Sequence, residues 1–218
     1  MNRTVVAFGG NLPFQGQPPS HTFAAALARL TADRGHRLRR VARLWQSRPV
    51  QADGPDFFNT AAWIDTPLSP EAWLQYLLET EHEFGRQRPN RAAHRLPRDV
   101  HAADEATLRP QPSAARTLDL DLIWVEGQTL QTVQLTLPHP RAASRAFVLG
   151  PLRDLEEELA DLRLPCPETG RLLSVSSLWD QLPAAARADV QPASPGAHWP
   201  AASVPVTAET PAQEWGLA

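Results

Sequence analysis

Along this chain, apolar residues switch between two-residue and helical periods in the order βαββαβ, with further helical segments behind. That order specifies an α+β sandwich, in which helices lie against a mainly antiparallel sheet. Three observations carry it. Short β-branched and apolar runs bounded by Gly, Pro and Asp recur at Thr4 to Phe8, Leu38 to Gln46, Phe57 to Ile64 and Thr117 to Val125. Stripes at helical spacing separate the first run from the second and the third from the fourth. No segment repeats, so the 218 residues read as one core with additions.

The first run halts at Gly9-Gly10-Asn11, residues that tolerate positive φ, so a strand followed by a sharp turn is expected. Phe23, Leu27 and Leu30 then recur at helical spacing, with Ala24 to Ala26 adding propensity, which gives a first helix from Ser20. The next two strands are joined through Pro, Gly and Asp. In the clearest helix, Ser69 suits the N-cap, Pro70 the first position, Trp73, Leu77 and Phe84 the apolar stripe, and Gly85 the stop.

Residues 89–115 carry prolines and arginines without periodicity and read as a long insertion, of the kind that forms a lid or lacks order. After the strand Thr117 to Val125, Glu126-Gly127 offers a hairpin turn and Leu130 to Leu137 a returning strand. Helical signals at Phe147 to Leu159 and Val175 to Leu182 close a domain of residues 1–182. From Pro183 to residue 218 the chain is rich in alanine and proline without an apolar period. It reads as a disordered tail whose removal should leave stability and turnover unchanged.

Composition excludes several chemistries. All 21 basic residues are arginine, so neither a Walker A lysine nor a Schiff-base lysine can operate here. No apolar run approaches the roughly 20 residues of a membrane span, and no secretory leader opens the chain; a cytoplasmic protein is expected. The single cysteine, Cys166, cannot form an intrachain disulfide. A net charge of -3 gives no general attraction to nucleic acid, so a polyanion must be met by a local cluster of cations.

The stretch richest in chemistry is Arg116-Thr117-Leu118-Asp119-Leu120-Asp121-Leu122-Ile123-Trp124. As a strand it puts Asp119 and Asp121 on one face and Leu118, Leu120 and Leu122 in the core. Magnesium takes one or two carboxylates and completes its shell with water and phosphate, so the pair suits that ion; a solvent-facing acidic strand has the same pattern. Arg116 precedes the pair, and Arg86 and Arg88 follow Gly85 on one face if extended. Guanidinium forks match phosphate oxygens. His139 has no second histidine or cysteine at zinc spacing, so a phosphate hydrogen bond suits it better than metal ligation. Phe57-Phe58-Asn59 offers rings to stack on a flat heterocycle and an amide to pair with its edge, or simply core packing.

Taken in order, Phe8-Gly9-Gly10-Asn11-Leu12, Phe57-Phe58-Asn59-Thr60-Ala61-Ala62, the Arg116–Trp124 block and Leu137-Pro138-His139-Pro140-Arg141 with Arg145-Ala146-Phe147 resemble the hydroxymethyldihydropterin pyrophosphokinase family, over residues 4–182. The resemblance implies a ferredoxin-like αβα sandwich, acting as a monomer in folate biosynthesis. It further implies that ATP, two magnesium ions and 6-hydroxymethyl-7,8-dihydropterin are bound, and that AMP and the pterin diphosphate are released. By position, Asp119 and Asp121 are the implied magnesium ligands, and with Arg86, Arg88 and Arg116 the catalytic set. Glu81, Arg86, Arg88, Arg116, His139 and Arg145 are the implied ATP contacts; Ser47, Val50, Phe57, Asn59 and Phe147 are the implied pterin contacts.

The chain departs from the family in three places. The segment between Arg88 and Arg116 is much longer, Ser113-Ala114-Ala115 replaces the family's frequent Trp-Gly-Pro, and Gly10 stands where serine is usual. The altered lid keeps an alternative open: a catalytically weak or repurposed homologue that binds nucleotide or pterin without turnover. An RNA-binding module built on the arginines of 86–116 is disfavoured by the net charge and by the lack of an aromatic-rich strand.

Overall fold

The computed structural model describes residues 1–32, 35–49, 54–86, 115–193, 199 and 204–205. The expected lid, apart from Ala115, and the end of the tail therefore lie outside the described residues. Strand β1 (Asn2–Gly10) is followed by helix α1 (Pro19–Thr31), then by β2 (Arg37–Val41), β3 (Trp45–Ser47) and β4 (Phe57–Thr66). Helix α2 (Pro70–Glu83) leads to β5 (Asp119–Val125). Short strands β6 (Leu130–Gln131) and β7 (Thr136–Leu137) and a 3-10 turn at Ala142–Ser144 precede helix α3 (Ala146–Arg153). The chain continues through β8 (Leu164–Pro165), β9 (Leu172–Leu173), helices α4 (Val175–Gln181) and α5 (Ala184–Ala188), and strands β10 (Val190–Pro192) and β11 (Val204–Pro205).

The main sheet runs β10-β3-β4-β1-β5, with β2 on the same edge of β4 as β3 and β11 beyond β2. Every pairing in it is antiparallel. Alternation along the strands gives each face its own core. Val6, Phe8, Ala62, Ile64, Leu120 and Leu122 face α1 and α2, packing on Phe23, Leu27, Leu30, Trp73 and Leu77. Val5, Ala61, Ile123 and Trp124 face α3 and α4, packing on Val148, Leu149, Leu152, Val175 and Leu178. Helix α2 is capped as expected: Ser69 Oγ accepts from Ala72 N at 3.3 Å, Pro70 opens it, and Gly85 at φ 79° ends it.

Several expectations are corrected. Strand β1 does not halt before its glycines but runs through both, because the neighbouring backbone approaches too closely for a side chain: a Cβ on Gly10 would lie 2.6 Å from the Thr117 carbonyl oxygen. The expected strand from Leu38 to Gln46 is two, broken at Ala42–Leu44, where Thr60 Oγ1 donates to the Ala42 carbonyl at 2.9 Å. The segment Leu130 to Leu137 does not return along β5. Its ends pair with each other, and the chain regains the β5 edge only at His139, whose N–H donates to the Ile123 carbonyl at 2.8 Å. Helix α3 stops at Arg153 rather than running to Leu159; Pro151 lies inside it, and the Asp154 carboxylate is engaged by Arg43 and Trp45.

The tail expected to lack order from Pro183 is ordered in its described part. Helix α5 leads into β10, which pairs with β3, and the Trp199 indole N–H donates to the Ala42 carbonyl at 2.9 Å. Backbone pairing holds Val190–Pro192, and Val190 and Trp199 each reach an apolar core from a stretch of sequence that has no apolar period.

Candidate functional site

The face of the sheet that carries the acidic pair is floored by small residues. In register, Asp119 stands opposite Gly9 and Gly9 opposite Asn59; Asp121 stands opposite Ala7 and Ala7 opposite Ala61. Leu118, Leu120 and Leu122 are buried on the other face, which leaves both carboxylates half-buried on an open floor between β5 and β4. Gly9 has no side chain to fill that floor: a Cβ there would stand 3.5 Å from Asn59 Oδ1 and 3.9 Å from Asp119 Cβ.

At the β5 end, Asp119 holds two guanidiniums, Arg86 on Oδ1 and Arg116 on Oδ2. Arg86 also donates to the Leu118 carbonyl at 2.9 Å and lies 4.0 Å from Glu81. Glu81 is fully buried and accepts the backbone N–H of Leu120, between the two aspartates, at 2.7 Å. Burial first, then the charge of Asp119, pushes the Asp121 carboxyl above the ordinary carboxylate range, while His139, Arg145 and Arg116 pull it back. Burial likewise lowers His139, against the opposing pull of Asp121. Burial and the neighbouring Arg141 lower Arg145. These charges share one electrostatic neighbourhood.

The same cations join the acidic end to an aromatic one. The Arg116 guanidinium lies 5.6 Å from the centroid of the buried Phe57 ring, and that of Arg145 lies 5.5 Å from the half-buried Phe147 ring. Asn59 Nδ2 donates to Ser47 Oγ at 2.9 Å, which leaves Oδ1 on the Gly9 side. Asn11 ties three segments around this floor. Its Oδ1 accepts Arg116 N at 2.9 Å, its Nδ2 donates to the Pro55 carbonyl at 3.1 Å, and its N–H donates to the Arg116 carbonyl at 2.9 Å.

The structure thus gathers Glu81, Arg86, Arg116, Asp119, Asp121, His139 and Arg145 at one end, and Ser47, Phe57, Asn59 and Phe147 on the strands and helix that border the other. Arg88 and Val50 lie outside the described residues. Asn11 and Arg141 were not singled out as site residues. Both lie inside motifs that carry the resemblance, Asn11 after the paired glycines and Arg141 beside His139.

Among the described residues no group of three or more His, Cys, Asp and Glu is arranged around one point. Two half-buried carboxylates on one strand face match the one or two that a hard ion takes when it fills its shell with water and phosphate oxygens. The raised Asp121 carboxyl fits such an ion, since a cation relieves the repulsion from Asp119.

Carboxylates and arginines beside an amide and two aromatic rings make a cleft of the kind a phosphotransferase uses, with charge for a polyphosphate at one end and flat apolar surface at the other. Residues 5–157 match the family described as 7,8-dihydro-6-hydroxymethylpterin-pyrophosphokinase. The chain is 37% identical over 166 residues to the 2-amino-4-hydroxy-6-hydroxymethyldihydropteridine pyrophosphokinase of Pseudomonas aeruginosa, covering 76% of this chain and 85% of that protein. It is 30% identical over 192 residues to the protein of the same name from Synechocystis, covering 88% and 80%. It is also 33% identical over 152 residues to the folate synthesis bifunctional protein of Arabidopsis thaliana, covering 69% of this chain and 26% of that one. The chain belongs to the 7,8-dihydro-6-hydroxymethylpterin-pyrophosphokinase family, and it is an ATP-dependent pyrophosphokinase of folate biosynthesis.

Proposed function

We propose that this cleft moves the terminal pyrophosphoryl group of ATP to the hydroxymethyl oxygen of 6-hydroxymethyl-7,8-dihydropterin, on a ferredoxin-like scaffold. The observation that carries the reading is the continuous row Asp119, Gly9, Asn59 across three strands, which sets the acidic and amide ends side by side over an open floor. The pterin oxygen bonds to the β-phosphorus, the bond from that phosphorus to the bridging α,β-oxygen breaks, AMP leaves with that oxygen, and the hydroxyl proton passes to solvent.

In this reading Asp119 and Asp121 hold two magnesium ions, which supply charge neutralisation and Lewis-acid polarisation of phosphate oxygens. Arg86, Arg88, Arg116, His139 and Arg145 bind and orient the polyphosphate, and Glu81 positions Arg86 and the backbone between the aspartates. Asn59 pairs with the pterin edge, Phe57 and Phe147 flank its rings, Ser47 lines the cleft, and Val50, outside the described residues, is a pterin contact by the resemblance alone. Positioning and charge stabilisation supply most of the barrier reduction in phosphoryl transfer, so no strong general base is required.

The reading also makes the chain a cytoplasmic monomer. In its support, no described helix is long and apolar enough to cross a membrane, and the outer edges of β2 and β3 are paired by strands of the same chain. The test is to mix the protein with ATP, magnesium and the pterin alcohol and to separate AMP from ADP by chromatography. Pterin-dependent AMP is expected. Nucleotide binding without AMP would instead make the chain a repurposed homologue.

A further inference from the structure

The C-terminal segment expected to be dispensable reaches the strand that borders the amide end of the cleft. Strand β3 is only three residues long, with irregular backbone before it and Arg48 after it, so its pairing with β4 alone is a weak hold. Strand β10 supplies the second side. Val190 pairs with Ser47, Gln191 with Gln46 and Pro192 with Trp45, and Ala193 N donates to the Leu44 carbonyl at 2.9 Å. At the far end, Arg48 N donates to the Asp189 carbonyl at 3.4 Å, so the pairing extends past Ser47 to the start of the next loop.

The segment is anchored on both faces of the sheet. Val190 is buried in the core beneath α3 and α4. Trp199 packs against the opposite core, its ring 6.3 Å from that of Phe23 and nearly perpendicular to it. Its indole N–H takes the Ala42 carbonyl at the break between β2 and β3. Asp189 and Gln191 line a shallow cavity whose other walls include Ser47 and Asp56.

Ser47 connects this edge to the cleft. Its Oγ accepts from Asn59 Nδ2 at 2.9 Å, and both side chains are about as buried as core residues, at 5% exposure each. The Ser47 hydroxyl can accept or donate, so it fixes where the Asn59 carboxamide lies, and with Nδ2 on Oγ the carbonyl Oδ1 stands on the Gly9 side. We propose that the C-terminal segment is a positioning part of the acceptor site: β10, anchored by Trp199, fixes β3, and through Ser47 it fixes the amide of Asn59. The inference rests on the pterin site proposed above.

The test uses the full chain with Gln191→Pro, which removes a backbone donor from β10, and separately Trp199→Ala, which removes the anchor. KM for the pterin and KM for ATP are measured by AMP formation, and Tm is recorded alongside. In both variants KM for the pterin rises about tenfold while KM for ATP stays within about twofold, because misplacement is confined to the acceptor side. Ser47→Ala reproduces the same split with β10 untouched. If Gln191→Pro does not fold, Trp199→Ala decides the matter. Unchanged KM values, or equal rises for both substrates in step with a lower Tm, would overturn the proposal in favour of simple edge cover. A wild-type protein that makes no AMP and shows no pterin quenching of its tryptophan fluorescence would remove the pterin site itself, and this proposal with it.

Discussion

Glu81 accepts the backbone N–H of Leu120 at 2.7 Å, so a buried carboxylate on α2 holds the free edge of β5 midway between Asp119 and Asp121. The same oxygen lies 4.0 Å from Arg86. One side chain therefore sets the height of the acidic pair and the approach of a cation to it. Glu81→Ala leaves that N–H and part of the Arg86 charge unpaired, and should cost about 2–3 kcal/mol of stability in urea unfolding, with a fall in turnover. Glu81→Gln keeps an acceptor and should lose clearly less of both. Equal losses would show that packing, not the hydrogen bond, fixes the edge.

Asp119 accepts Arg86 and Arg116 on separate oxygens, which holds two cations at fixed spacing before any ligand arrives. Asp119→Asn weakens both pairings and removes a charge from the proposed magnesium site. Turnover should fall by at least about 10²–10³-fold, the usual cost of one preorganised electrostatic group. The far-ultraviolet circular dichroism spectrum should stay unchanged. Turnover within a few-fold of wild type would remove Asp119 from the catalytic set.

Asp121 carries its charge in an unfavourable place. Its carboxyl is pushed up chiefly by burial and then by Asp119, so the folded state binds that proton more tightly than the unfolded chain does. The favourable contribution is fully present at low pH and is lost as pH rises through the raised folded value. Asp121→Asn should therefore melt higher than the metal-free wild type at pH 8, and the gap should close towards pH 4. Magnesium should raise the Tm of the wild type and leave the variant unmoved. A variant that melts lower than wild type at pH 8 would mean that His139, Arg145 and Arg116 more than compensate the buried charge.

Much of this site was legible because it is written in local periods. The two-residue alternation of Leu118 to Leu122 places the aspartates without reference to any other segment, and Ser69-Pro70 with Gly85 marks the ends of α2. What sequence reasoning missed is non-local. Val190 and Trp199 are isolated apolar residues in an alanine- and proline-rich stretch, and their partners, Ser47 and Ala42, lie more than a hundred residues away. The early end of α3 likewise involves Asp154, held by Arg43 and Trp45, more than a hundred residues earlier in the chain. The two glycines closing β1 suggested a turn, since glycine is disfavoured in strands, yet here it is the close approach of another backbone that requires one of them.

That glycine gives the last prediction. Gly10 stands where the family usually carries serine, and reinstating the family residue looks conservative on sequence alone. In this chain a Cβ at position 10 would lie 2.6 Å from the Thr117 carbonyl oxygen and 3.2 Å from the Phe23 ring. The carbonyl is backbone and cannot swing aside. Asn11 N and Leu12 N donate to the Arg116 carbonyl at 2.9 and 3.0 Å, so a displaced Thr117 strains the residue that carries the Arg116 guanidinium. Gly10→Ser should therefore lower stability by about 1–3 kcal/mol, the usual cost of overpacking, and Gly10→Ala by a similar amount because the Cβ itself makes the clash. Turnover should fall with KM for ATP raised, as Arg116 moves away from Asp119. Full stability and wild-type KM in Gly10→Ser would show that the approach of β1 to Thr117 relaxes without cost.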